Sequence, residues 1–404
     1  MSATHLFVAA PAAAFGEVST GLRIARELVA QGDRVLFLAG ADVAILFEGT
    51  GIAHQAIDGD VLRLGRLVSR TIERERCASL TLVDVASVYL TLDPIGVDLD
   101  FLERLAVPVI ALDFWNLRRA GPEWDFGRDA TPIPPAALAF ERRLLPAPIA
   151  RPDAGPGTFA ALPPRVARPA VRAAVRAELG LAERDRLVLW PTSRWQQPEL
   201  QNWKHHARLA RQVPVWIAGT LDRLGERVHV LHIGPQASPA WSAWGARYRF
   251  SGQVPAERLH DLMDAADLLL SLNTTATTGL AATAIGLPTV VIANSHGGSA
   301  DELAAVVGDA SSALRAWLAE AAPLHPFRLW PLGLFSFLTP ILEGNPFTDT
   351  FRQVELLDED AIAETCRALL FDESAAAAAR DLQAGYRERI RSLPGPAEAF
   401  RAWL

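Results

Sequence analysis

The chain has 404 residues, half of them hydrophobic, and a formal net charge of −7. That length exceeds one ordinary core and predicts two domains, and the acidic balance argues against a nucleic-acid or anionic-membrane surface. No run of about 18 apolar residues occurs, so no membrane span is expected. Cys77 and Cys366 stand far apart with no partner motif, which suggests a reducing compartment with neither a disulfide framework nor a zinc site. The N-terminus carries no basic leader before its apolar part, so a signal peptide is not expected and a cytoplasmic protein is.

In chain order, residues 5–10 (HLFVAA) read as a buried strand. A loop to Glu17 follows, then a helix over 18–31 with Leu22, Ile24, Ala25, Leu28 and Val29 at helical spacing and Gly32 as its stop. Residues 34–39 (RVLFLA) form the next strand, which makes a βαβ unit and a parallel pair. Further strands are predicted at 80–85 and 107–112. Prolines crowd residues 120–169, which predicts a stretch without long helices or central strands, and thus the end of one domain plus an ordered linker. Alternation resumes with strands at 186–190, 213–218 and 228–233, and the tail from 358 to 404 reads as helical. The expected layout is an α/β chain of two doubly wound domains facing across a cleft. It has a first domain at 1–150, a linker at 151–185, a second domain at 186–375, and a C-terminal helix at 376–404 that returns towards the first domain.

Residues 250–302 carry the strongest local signal. A strand at 268–272 runs into the polar loop Asn273, Thr274, Thr275, Ala276, Thr277, Thr278, Gly279. A small-residue helix over 280–285 ends at Gly286, and a strand at 289–293 leads to Gly297 and Gly298. Hydroxyls and free N–H groups at a helix start suit a pyrophosphate, and Gly279 permits close backbone approach. The same loop also reads as a helix cap with Thr as its starter. No phosphate-binding P-loop, dinucleotide glycine fingerprint or G-x-S-x-G nucleophile motif occurs.

Two features resemble one known family. The run Ala14-Phe15-Gly16-Glu17-Val18-Ser19-Thr20-Gly21-Leu22 with AxxLxxxG at 25–32 is similar to the opening of the MurG-type and UDP-sugar transferases. AADLLLS, then Gly286-Leu287-Pro288, then paired glycines, resembles their donor domain. The resemblance implies a GT-B glycosyltransferase of two Rossmann-like domains. It also implies a nucleotide-diphosphate sugar as donor substrate, a small-molecule or peptide acceptor, and neither cofactor nor metal. Nucleotide-sugar epimerases and hydrolases share the fold, as would a non-catalytic binding protein that lost the site.

The resemblance assigns roles by position. Glu17 stands where the family often has a histidine base, and a carboxylate lifted by burial can take a proton there; the same acid also suits a helix N-terminus. Asp113, at the end of a predicted strand, is placed to orient an acceptor or Glu17, with Gly16, Phe114, Trp115 and Asn116 on the acceptor side. Ser193, Arg194 and Lys204 are expected near the donor phosphates, Arg194 as a bidentate contact. His296, Gly297, Gly298, Asp301 and Glu302 form a further donor element. The family's ribose-holding glutamate is replaced by Ala281. The apolar run 327–347 reads as packing under a long loop, or as a wall of the cleft.

Overall fold

A computed structural model describes the chain except for residues 1, 11–14, 58–60, 125–130, 162–164, 194–195, 198–203, 294–296, 299–304, 306–309, 322–326 and 329–334. The first half contains β1 (Thr4–Ala9), α1 (Phe15–Ala30), β2 (Arg34–Ala39), β3 (Ala53–Ala56), α2 (Leu64–Glu75), β4 (Ser79–Val83), α3 (Val85–Leu92) and β5 (Val109–Leu112). A short hairpin follows, β6 (Glu123–Trp124) with β7 (Thr131–Pro132), and then α4 (Pro135–Ala139), β8 (Arg143–Ala147) and β9 (Thr158–Ala160). Seven strands pair in the order β3-β2-β1-β4-β5-β8-β9, all parallel. Strands buried on both faces read as continuous apolar runs, and β4 (SLTLV) is buried at every position. On α1, Val18, Leu22, Ala25 and Leu28 share one stripe and pack with Phe7 and Phe37 of the sheet. Gly32, at φ +94°, closes the helix as expected.

The second half contains α5 (Pro169–Glu178), β10 (Arg186–Pro191), α6 (Lys204–Asp222), β11 (Val228–Ile233), β12 (Tyr248–Ser251), α7 (Ala256–Ala265), β13 (Leu268–Ser271), α8 (Thr277–Ile285) and β14 (Thr289–Ala293). Next come a two-residue ladder of β15 (Gly297–Gly298) with β16 (Phe327–Arg328), α9 (Ser312–Ala321), α10 (Phe335–Leu342), β17 (Arg352–Glu355), α11 (Glu359–Phe371), α12 (Glu373–Arg391) and α13 (Pro396–Arg401). Six strands pair in parallel in the order β12-β11-β10-β13-β14-β17. Both sheets are doubly wound. The strand order reverses between β1 and β4 in the first and between β10 and β13 in the second. Such switch points open the crevices in which α/β sheets bind ligands. Among the described residues no helix is long and apolar enough to cross a membrane.

Three expectations fail here, each for a physical reason. Residues 213–218 are helical, inside α6. Val213, Trp216, Ile217 and Leu221 recur at helical spacing and are buried together, and a short apolar run does not separate strand from helix. The proline-rich stretch does hold an interior strand. In β8, Pro146 lies on the same side as Leu144, whose carbonyl accepts from Asp113; β5 has ended there, so the missing N–H has no ladder partner to lose. The linker expected at 151–185 contains β9, an edge strand of the first sheet. It also contains α5, whose Arg172 donates to the carbonyls of Asp264, Ala265 and Ala266 at the end of α7.

The halves share a core. Phe337, Leu338 and Ile341 of α10, with Phe347 and Phe351, bury against Trp115, Leu117 and Ile149 of the first half. Asn345 Nδ2 donates to the carbonyls of Pro148 (2.9 Å) and Ile149 (3.1 Å), and its Oδ1 accepts from Phe347 N–H. Asn345→Ala strands three buried polar groups and is expected to cost on the order of 2 kcal/mol, read as a lower denaturation midpoint. The tail crosses back over the first sheet: Phe400 of α13 stacks on Phe7 at 5.9 Å, and Ala397 N–H donates to Glu27 at 3.1 Å.

Candidate active site

Three acids stand at the carboxyl ends of adjacent strands of the first sheet. Glu17 lies in the first turn of α1, after β1; Asp84 follows β4; Asp113 follows β5. Residues 9, 83 and 112 are in register, so the segments that follow them leave the sheet side by side. Gly21, one turn after Glu17 on the same helix face, sits so close to β4 that a Cβ there would lie 3.2 Å from both methyls of Val83. That approach carries Glu17 to the level of the next residue, Asp84.

Glu17 and Asp84 are both buried, and Glu17 Oε2 and Asp84 Oδ1 lack a hydrogen-bond partner among the described residues. Burial, then the charge of Asp84, pushes the Glu17 carboxyl up to about 8. Burial also raises Asp84, to about 6, while hydrogen bonds from Ser87 and Ala86 restrain it and the charge of Asp113 adds to the rise. Near neutrality the pair therefore holds one proton. Asp84 adopts φ 60°, ψ 85°, a left-handed conformation uncommon outside glycine, and it starts α3 from there. Asp113 is differently occupied. Arg143 Nε donates to it at 3.1 Å, Nη2 donates to the same oxygen, and Leu117 N–H donates at 3.0 Å.

Across the cleft, the loop after β13 opens onto α8. Asn273 Oδ1 accepts from both the N–H (2.9 Å) and the hydroxyl (3.0 Å) of Thr275, so these two residues hold the loop itself. Thr274, Thr277 and Thr278 are half-buried, their hydroxyls without a hydrogen bond among the described residues. Among the described residues no side chain caps α8. The two crevices meet where a Cβ on Gly16 would lie 2.8 Å from Thr277 Cγ2. The first turns of α1 and α8 thus converge, with the carboxylate pair on one side and an uncapped helix start on the other.

Residues 24–404 match a family of unknown function (DUF6365). The chain belongs to that family. No curated protein matches the sequence. The fold is that of the GT-B glycosyltransferases. The spinosyn rhamnosyltransferase SpnG in complex with spinosyn aglycone is similar at a TM-score of 0.56 and 16% identity, over 98% of this chain and 99% of that one. The glycosyltransferase SnogD of Streptomyces nogalater is similar at 0.52 and 14%, over 100% and 99%, and Acinetobacter baumannii MurG at 0.50 and 12%, over 99% and 98%.

Within this GT-B fold the structure separates the nominated residues. Gly16 meets Thr277 at the junction, with Glu17 next to the one and Thr278 next to the other in the chain. Asp113 does not face Glu17; its oxygens hold Arg143 and Leu117, and Asp84 takes the place beside Glu17. Phe114 and Trp115 offer no stacking surface, because Trp115 is enclosed by Phe114, Trp124 and Phe337 at 5.2, 5.7 and 6.1 Å between ring centres. Asn116, at φ 51°, turns the chain that seats these rings in the core. Gly279 belongs to the first turn of α8, where its N–H donates to the Ala276 carbonyl at 2.9 Å, and is no loop glycine. Ala281 packs with Leu187, Leu189 and Leu262, so a carboxylate there would be buried in apolar surroundings. Ser193 N–H is committed to Gln196 Oε1 at 2.7 Å. Lys204 begins α6, its side chain outside the description, and Gly297 and Gly298 pair with Arg328 and Phe327. Arg194, His296, Asp301 and Glu302 lie outside the described residues.

Asp84 was missed because the strand reading of 80–85 ran through it. An acid following LTLV and preceding a small-residue helix start was the available signal.

Proposed function

We propose that this chain is a glycosyltransferase that moves a sugar from a nucleotide-diphosphate sugar, bound in the crevice of the second sheet, to a small-molecule or peptide acceptor at the first. The contact of Gly16 with Thr277 carries the reading. It sets two buried carboxylates with unpartnered oxygens opposite an uncapped helix start. The acceptor hydroxyl gives its proton to the Glu17–Asp84 pair while its oxygen bonds to the anomeric carbon and the carbon–oxygen bond to the diphosphate breaks. The departing charge falls on the start of α8 and the hydroxyls of Thr274, Thr277 and Thr278, with no metal in the scheme. That SpnG is known with a bound aglycone supports a small-molecule acceptor, as in secondary metabolism. Cys77 and Cys366, both free and buried, agree with a cytoplasmic setting.

Titration calorimetry against UDP, dTDP, GDP and ADP tests the donor half. One of them is expected to bind, and the corresponding nucleotide sugar to release it faster when acceptor is present. If none of the four binds, the transferase reading is dropped.

A further inference from the structure

A second polar network stands at the other switch point and has no part in the scheme above. His232, near the end of β11, is 1% exposed and stacks on Trp190 at 4.5 Å between ring centres. Its Nε2 lies 2.8 Å from Thr192 Oγ and its Nδ1 2.8 Å from Tyr248 Oη. Ser238 N–H donates to the same Tyr248 oxygen at 3.3 Å.

The direction of this chain follows from its one fixed end. A backbone N–H only donates, so Tyr248 Oη accepts from Ser238. Among the described residues the phenol has one acceptor for its own proton, His232 Nδ1. With the phenol proton given to that acceptor, the imidazole carries its hydrogen on Nε2 and donates it to Thr192 Oγ. The ring stays neutral, since burial lowers His232 to about 4. Thr192 accepts from histidine and has its own hydrogen left to give.

That hydrogen belongs to a half-buried residue directly beyond β10, at the reversal of strand order between β10 and β13. The other side of the same crevice is the loop of Asn273 to Thr278. Gly234 makes the arrangement possible: a Cβ there would lie 2.1 Å from Thr192 Oγ and 3.1 Å from His232 Nε2.

We propose that Ser238, Tyr248 and His232 form a one-way hydrogen-bond relay that holds the Thr192 hydroxyl as a donor to an anionic oxygen of the ligand in the second crevice. Thr192 is the contact, and His232 and Tyr248 position it. A phosphate oxygen, which accepts and never donates when ionised, is the chemistry this hydroxyl selects. The ligand half rests on the donor-site reading given above; the polarity of the relay does not.

Two measurements test it. Imidazole ¹⁵N spectra of the intact protein should show His232 with its hydrogen on Nε2 and no titration between about pH 5 and 9. In Tyr248→Phe that single tautomer should give way to a mixture. A His232 found with its hydrogen on Nδ1 overturns the relay, because Thr192 would then spend its proton on the ring. Calorimetry with inorganic pyrophosphate and with the four nucleoside diphosphates should show Thr192→Val binding about 10-fold or more weakly, and Thr192→Ser close to wild type. Equal binding by wild type and Thr192→Val removes Thr192 as a contact. If wild type binds none of these probes, the donor-site reading and the ligand half fall together, and the spectra still decide the relay.

Discussion

Glu17→Gln is expected to cut turnover about 10²-fold or more while leaving nucleotide affinity nearly intact, because the proposed base is lost and the second crevice is untouched. The same substitution is expected to stabilise the protein at neutral pH. Burial and Asp84 raise the folded-state carboxyl from 4.5 to about 8. Between those values the folded chain binds more protons than the unfolded chain, so the Glu17 contribution to stability falls as pH rises through that window. Gln carries no such penalty, and the gain at pH 7 is on the order of 2 to 3 kcal/mol. Activity runs the opposite way, since a base must be free of its proton: wild-type turnover rises from about 6 to about 8, the values of Asp84 and Glu17. Denaturation midpoints at pH 5 and pH 7.5, set beside turnover, check both halves. Unchanged turnover takes Glu17 out of the mechanism, and an unchanged midpoint at pH 7.5 means that its carboxyl is not held protonated.

The second large effect is structural. Arg143→Met is expected to destabilise the protein by about 3–5 kcal/mol, because it leaves Asp113 buried without its cation. Both partners are nearly inaccessible, at 5% and 0% side-chain exposure, so solvent does not screen the pair. Burial already holds the Asp113 carboxyl above its ordinary value even with Arg143 beside it. Without Arg143 the carboxyl rises further. The deficit should therefore be greatest at high pH and shrink as the acid is protonated in the folded state. Replacing both residues, with Arg143→Met and Asp113→Leu, should recover much of the loss, since no uncompensated charge remains. Urea titrations of the three proteins at pH 5.5 and 8 read this directly. A deficit in Arg143→Met that does not change with pH would count against an ionised Asp113 as its cause. The effect also bears on the cleft, because Asp113 anchors the turn that seats Phe114 and Trp115 in the core.

The opposite fates of the two acids illustrate what one sequence makes legible. Glu17 and Asp113 both follow strand-like runs and both point to the carboxyl edge of a sheet. Local pattern treats them alike. Only the arrival of Arg143, from a strand inside a proline-rich stretch, neutralises one, and only the left-handed turn at Asp84 pairs the other. Trp115 failed as an acceptor platform for the same reason: the ring that covers it, Phe337, is more than two hundred residues away in sequence.

The sequence by itself determined the βα alternation, the strands on either side of each reversal of strand order, the stop at Gly286 and the likeness to GT-B enzymes. Those depend on periodicity, glycine and helix ends, which act within a few residues. The tertiary structure decided which polar groups are left without partners. The orphaned oxygens of Glu17 and Asp84, the relay from Ser238 to Thr192, and the contact of Gly16 with Thr277 all join elements distant in the chain. A polar group gains functional meaning from burial and from the partner it lacks, and both are set when the two sheets pack.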